Sequence, residues 1–86
     1  MGRVAVTVRV MPADSGVNVE DLASSVRTSV GAGLREAAVR PIAFGLRAVE
    51  ATIVVDDVAG AAEHLERKLR GLTGAGEVET ISVTLL

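Results

Sequence analysis

Asp56 and Asp57 form an adjacent acidic pair at the end of the apolar run ATIVV. Two carboxylates can hold Mg²⁺ or divide acid and base roles between them. Neighbouring side chains on a strand point to opposite faces, which works against a shared ion. The simpler reading is that the pair ends a strand and precedes a helix, whose positive end favours acidic groups. His64 is the one imidazole, a turn before Lys68 and next to Leu65. No cysteine nucleophile exists to pair with it, and no serine stands in a GxSxG turn. His64 therefore reads as a surface or boundary residue. The glycines of GLTGAG, 71–76, and GAGL, 31–34, match neither GxGxxG nor GxxxxGK and read as helix exits. Without cysteine, and with no CxxC or HExxH, neither a disulfide nor a dedicated transition-metal site is expected. No cofactor is called for. These residues point away from covalent catalysis.

A different kind of signal sits in RPIAFGLRAVE, Arg40 to Glu50, which holds the only aromatic residue, Phe44. Pro41 restricts the residue before it to extended geometry. Gly45 permits backbone angles that other residues resist. Phe44 is thus expected in a tight turn between two strands, next to Ile42 and bracketed by Arg40 and Arg47. Two readings stand. A lone phenylalanine can anchor a thin core from a strand end. At the tip of a turn it is instead a rigid apolar knob, which buries roughly 150–250 Å² on entering a partner's pocket. Aromatic anchors flanked by charge are common interface hot spots.

The elements that position this turn follow from periodicity. RVAVTVRV, 3–10, alternates, with Val4, Val6, Val8 and Val10 on one face, and predicts a half-buried strand. MPADSG, 11–16, is a loop. Asn18 is a good N-cap, with Glu20 and Asp21 at the favourable end of a helix over about 18–30. Leu22, Val26 and Val30, with Ala23, form its apolar stripe. Gly31 and Gly33 end it. LREAAVRPI, 34–42, predicts an edge strand, because proline is tolerated at edges and strand ends. LRAVEATIVVDD, 46–57, predicts a strand with Val49, Ala51, Ile53 and Val55 toward the helices. A second helix is expected over about 58–70, burying Ala61, Leu65, Leu69 and Leu72. Its i,i+4 pairs are Glu63–Arg67 and Glu66–Arg70. A last strand starts near 77, with Ile81, Val83 and Leu85 inward.

The order βαββαβ predicts a ferredoxin-like α+β sandwich, a four-stranded antiparallel sheet with two helices on one face. The expected strand order is 4-1-3-2. At 86 residues the chain makes one domain, 1–86, with a thin core. Nine basic and eleven acidic residues are mixed along it, which argues against affinity resting on phosphate neutralisation. No apolar run approaches 18 residues and no signal segment is evident, so the cytoplasm is the expected location. RNA-recognition domains of this topology stack bases on aromatics of the central strands. No such ring is available on Arg3, Ala5, Thr7 and Arg9 or on Leu46, Ala48, Glu50, Thr52 and Val54. Direct sequence-specific nucleic-acid binding is not expected.

PIAFGLRAVEATIVVDD, 41–57, resembles the most characteristic segment of the archaeal elongation factor 1-beta family. That family is similar to the C-terminal exchange domain of the eukaryotic elongation factor 1-beta chains. RVAVTVRVMPADSGVNVEDL looks like its first strand, loop and first helix cap, so the resemblance covers nearly the whole chain. It implies a guanine-nucleotide exchange factor that acts on the GTPase elongation factor 1-alpha and performs no covalent chemistry. In that light Phe44 matches the aromatic of the family's PxxFG or PxxYG turn, which packs against the GTPase. Pro41 and Gly45 would shape the turn, and Arg47 matches the basic residue that follows it. Ile42 and Arg40 complete the expected contact set. Asp56 and Asp57 match a structural or peripheral acidic pair. The eukaryotic relatives carry a lysine just before their final residue, where this chain has Thr84, Leu85 and Leu86. That role is either absent, taken by another basic residue, or replaced by displacement of the partner's switch elements. A bare exchange domain, monomeric, is the expected form. The alternatives are a small-ligand-binding regulatory domain of the same topology and a ribosome- or RNA-associated protein.

Overall fold

The computed structural model describes residues 2–86. β1 is Arg3–Pro12, α1 Val19–Val30, β2 Leu34–Pro41, β3 Arg47–Asp56, α2 Ala61–Arg70 and β4 Ala75–Leu85, with a 3₁₀ turn at Gly31–Gly33. The sheet is antiparallel with order β2-β3-β1-β4, the predicted 4-1-3-2 read from the other edge. α1 lies over β2 and β3, and α2 over β4 and β1. This is the α+β, ferredoxin-like sandwich. No described helix is long and apolar enough to cross a membrane.

Alternation in β1 and β3 builds the core. Val4, Val6, Val8 and Val10 stand opposite Val55, Ile53, Ala51 and Val49. Directly opposed residues share a face, so these form one apolar layer beneath the helices. Leu22, Ala23 and Val26 of α1 and Leu65 and Leu69 of α2 close over it, and all are buried. Each fully buried aliphatic side chain contributes roughly 1.5–3 kcal/mol from surface removed from water. α1 begins as its sequence predicts, with Asn18 Oδ1 accepting the Asp21 N–H at 3.0 Å.

Three expectations are corrected. α2 starts at Ala61, not 58, behind a left-handed Gly60 at its N-cap. Asp56 therefore ends β3 and Asp57 lies in the connection, clear of the first helical turn. Of its two predicted i,i+4 pairs, Glu66–Arg70 forms at 3.2 Å, whereas Glu63–Arg67 is not among the ion pairs of the described residues. The third correction concerns β4. Val83 and Leu85 stand opposite Val6 and Val4 on the helix side. Yet they are 55% and 75% exposed, and Ile81 is 44% exposed. The cause is a difference in rise. Ten- and eleven-residue strands span about 33–36 Å, whereas helices of ten and twelve residues span about 15–18 Å. α2 meets β4 at Thr80, which donates to Glu66, and at the Val78 carbonyl, which accepts from Arg70. It starts too late to cover the strand's far end. A register shift between Thr7 and Val8 leaves Ile81 unmatched as a bulge residue.

The link from α1 to β2 depends on one close approach. A Cβ built on Gly33 would lie 2.9 Å from the Val54 carbonyl oxygen of β3. Backbone cannot give way as a flexible side chain would. Gly33→Ala is expected to lower the unfolding free energy by about 1–3 kcal/mol. Gly2, with nothing within 4 Å of a built Cβ, is the control, and Gly2→Ala should stay within about 0.5 kcal/mol of the parent. Urea titration of both variants checks this, and equal midpoints would refute the contact.

Candidate functional site

The segment 41–47 forms the hairpin between β2 and β3. Pro41 pairs with Arg47 and Arg40 with Ala48 as the last rungs of the ladder. Pro41 has no N–H to donate, and it sits in an edge strand where this is tolerated. Past it, the Ile42 N–H donates to the Leu46 carbonyl at 2.8 Å and the Leu46 N–H to the Ala43 carbonyl at 2.9 Å. Phe44 and Gly45, between these bonds, have φ of 55° and 77°. Positive φ at both central residues is the signature of a type I′ turn, whose twist matches that of paired strands. The usual residues there are Asn-Gly. Phe44 is the only non-glycine with positive φ among the described residues, and an L-residue in that region costs roughly 1–2 kcal/mol.

Phe44 is also 101% exposed. The core-anchor reading therefore fails, since the ring buries nothing within its own chain. Ile42 and Leu46 flank it at 36% and 51% exposure. Leu46 was not among the candidate residues from sequence. Its signal was present as the apolar alternation Ile42, Phe44, Leu46 at spacing two. Beside the turn, Met11, Pro12, Val17, Val19, Leu46 and Arg47 line a groove of about 420 Å³. The apolar surface at this end of the sheet is thus a knob with a shallow groove next to it.

The bracketing arginines are engaged within the chain. Arg47 donates from both terminal nitrogens to Glu20 at 3.1 and 3.3 Å, linking the base of the hairpin to the first turn of α1. Arg40 pairs with Glu36 along β2 at 3.3 Å. All four side chains are at least half exposed, so each pair contributes only about 0–1 kcal/mol. The Arg47 bridge acts chiefly on geometry, holding the hairpin base against the helix.

The remaining candidates lie elsewhere. Asp56 and Asp57 are at the opposite end of β3 from Phe44. No group of three or more metal-ligating side chains occurs among the described residues. His64 lines a mainly apolar cleft of about 460 Å³ between the two helices at that far end, with Val30, Ile53, Val58, Leu65 and Lys68. The Gly74 carbonyl accepts from the Ala13 N–H at 2.8 Å, so the 71–76 loop is stitched to the β1–α1 connection. On the open sheet face Arg9 reaches Glu79 at 3.2 Å and Glu50 at 3.4 Å, and the Thr7 and Thr52 hydroxyls meet at 3.0 Å. Around Arg9 that face presents internally paired charge, Arg3 is exposed at its end, and it carries no ring.

Comparison with known proteins agrees with the motif. The EF-1 guanine nucleotide exchange domain family matches residues 5–86. Elongation factor 1-beta of Methanoculleus marisnigri is 37% identical over 86 residues, covering all of both chains. The protein of the same name from Methanothermobacter thermautotrophicus is 35% identical over 88 residues, covering 100% of this chain and 99% of its own. That of Aeropyrum pernix is 36% identical over 87 residues, covering 98% and 97%.

A side chain that makes no native contact but holds a costly φ can be exchanged to the fold's advantage. Phe44→Asn is expected to raise the unfolding free energy by up to about 1 kcal/mol, because asparagine tolerates this conformation. The readout is the urea midpoint at unchanged m-value. A lower midpoint would mean that the ring supports the fold after all.

Proposed function

The chain belongs to the EF-1 guanine nucleotide exchange domain family, within its archaeal elongation factor 1-beta group, and on that premise we propose that it promotes replacement of GDP by GTP on elongation factor 1-alpha, with the Phe44 hairpin as its anchor. Members of this family are exchange factors and perform no covalent chemistry. The observation that carries the Phe44 assignment is a fully exposed aromatic ring held in a costly backbone conformation. Strain of this kind persists only where the surrounding structure imposes it, and it clusters at functional sites.

The physical role is differential binding. An exchange factor that prefers a nucleotide-weakened state of the GTPase shifts the partner's population toward that state. Linkage then requires that bound nucleotide weaken the exchange factor by the same factor, so the complex dissolves when GTP reloads. Phe44 suits the anchoring part of this task because its main chain is already set by the hairpin. A phenylalanine has two side-chain torsions to order, and preorganisation lowers the cost of association. Ile42 and Leu46 would extend the apolar contact. Pro41 and Gly45 shape the turn. Arg40 and Arg47 form a charged rim and, being paired with Glu36 and Glu20, retain geometry more than free charge.

Release of fluorescently labelled GDP from the cognate GTPase tests the reading. The wild-type protein is expected to accelerate release. Phe44→Ala should lose at least about tenfold of that acceleration, as truncation of a central aromatic anchor does, with an unchanged circular dichroism spectrum. Leu46→Ala should lose less. Absence of acceleration by the wild type would refute the function. Full activity of Phe44→Ala would refute the anchor and leave the function standing.

A further inference from the structure

Beyond the Pro41–Arg47 rung, two main-chain hydrogen bonds close the hairpin, from Ile42 to Leu46 and from Leu46 to Ala43. These bonds set the shape of the turn. They do not set its angle to the body of the molecule. Among the described residues, one side-chain hydrogen-bonded link joins 41–47 to a helix, the fork of Arg47 on Glu20. Glu20 is a fixed post for that fork. It lies between Val19 and Leu22, which are 8% and 2% exposed, and the Asn18 side chain caps the same turn. Each terminal nitrogen of Arg47 donates to a different carboxylate oxygen. Two parallel bonds fix the orientation of a guanidinium as well as its distance.

We propose that Glu20 is a positioning residue for the partner site: through Arg47 it holds the Phe44 ring on its binding bearing, and it touches no part of the GTPase. The inference rests on the Phe44 hairpin being the anchor. Leverage makes the tie matter. Phe44 is three residues from Arg47, so it reaches up to about 10 Å beyond the last rung. A tilt of about 10° at that rung moves the ring by roughly 2 Å. Binding groups need to be held to within about 0.5 Å and 10–20°. Arg47 and Glu20 are 50% and 60% exposed, so water competes for the pair and it adds little to global stability. Its reach is the alignment of the hairpin. A tie of that strength changes the aligned fraction by up to about fivefold, and apparent affinity scales with the fraction that is competent to bind.

Glu20→Ala tests this, read by release of labelled GDP from the GTPase over a range of exchange-factor concentrations. The half-saturating concentration should rise about two- to fivefold. The maximal rate should not change, because alignment alters binding and not what the bound hairpin does. In an Arg47→Ala background Glu20→Ala should add nothing, since Glu20 acts through Arg47 alone. Amide exchange of the free protein reads the tether without the GTPase. The Ile42 and Leu46 amides, which close the turn, should exchange about two- to fivefold faster, and by more than those of Val6 and Val49 in the central strands. An unchanged half-saturating concentration would overturn the proposal. So would a lower one, which would mean that Glu20 withholds Arg47 from the partner. A further loss in the Arg47→Ala background would also overturn it, by placing Glu20 in contact with the GTPase. Unchanged hairpin amides refute the tether itself, independently of Phe44. Faster hairpin amides together with full activity of Phe44→Ala would leave the tether standing and remove the anchor, and with it this role of Glu20.

Discussion

A strand advances about 3.3 Å per residue and a helix 1.5 Å. In a chain whose strands and helices have similar residue counts, the sheet must outrun its cover at both ends. The molecule measures 42 × 22 × 19 Å, and its long dimension is set by strands. Where the helices do lie, they bury the inward face of the two central strands, Val6, Val8 and Val10 on β1 and Val49, Ala51 and Ile53 on β3. Beyond that zone the sheet projects unprotected. The hairpin bearing Phe44 projects at one end, and the second half of β4 at the other. Both exposed apolar features of the fold follow from this mismatch.

The rigid middle holds the projecting hairpin in place. A turn on a mobile loop would have to be ordered on contact. Here the ladder runs up to Pro41 and Arg47, and Arg47 is tied to Glu20 on α1. The turn therefore inherits the stiffness of a closed layer of valines and leucines. Its backbone strain is carried by that layer and not by any contact of the ring. An exchange factor performs no bond-making, so holding an apolar group in a fixed place is a large part of what such a domain can contribute. Membership of the exchange-domain family and the geometry of the hairpin are consistent on this point.

The two sheet edges show how similar elements can receive different treatment. β2 is short, charged and ends in proline, and its outer main chain is poorly suited to pairing. β4 is the longest strand and carries its charges only above the bulge. The bulge divides β4 into a half held under α2, through Thr80 and Val78, and a half that α2 leaves bare. The register shift at Ile81 thus marks the limit of helical cover as well as the limit of the uncharged edge.

Much of the architecture was legible in the chain itself. The alternation of RVAVTVRV, the cap at Asn18, the glycine exits and the proline at a strand end each act locally, over spacings of two to four residues, and each was read correctly. The βαββαβ order and its handedness rules then left one strand order. The motif around Phe44 likewise indicated a turn, and it carried the resemblance to the exchange family. Tertiary structure decided what depends on distances between elements. Phe44 as core or as surface could not be settled by local pattern, because the answer rests on where α1 begins relative to the hairpin. Val83 and Leu85 have the inward parity their alternation implies, yet they are exposed, because parity fixes a face and only the length and offset of α2 decide whether that face is covered. Leu46 joins the exposed cluster and Arg47 finds Glu20 for the same reason. Periodicity reports direction, and cover is set by the packing of elements far apart in sequence.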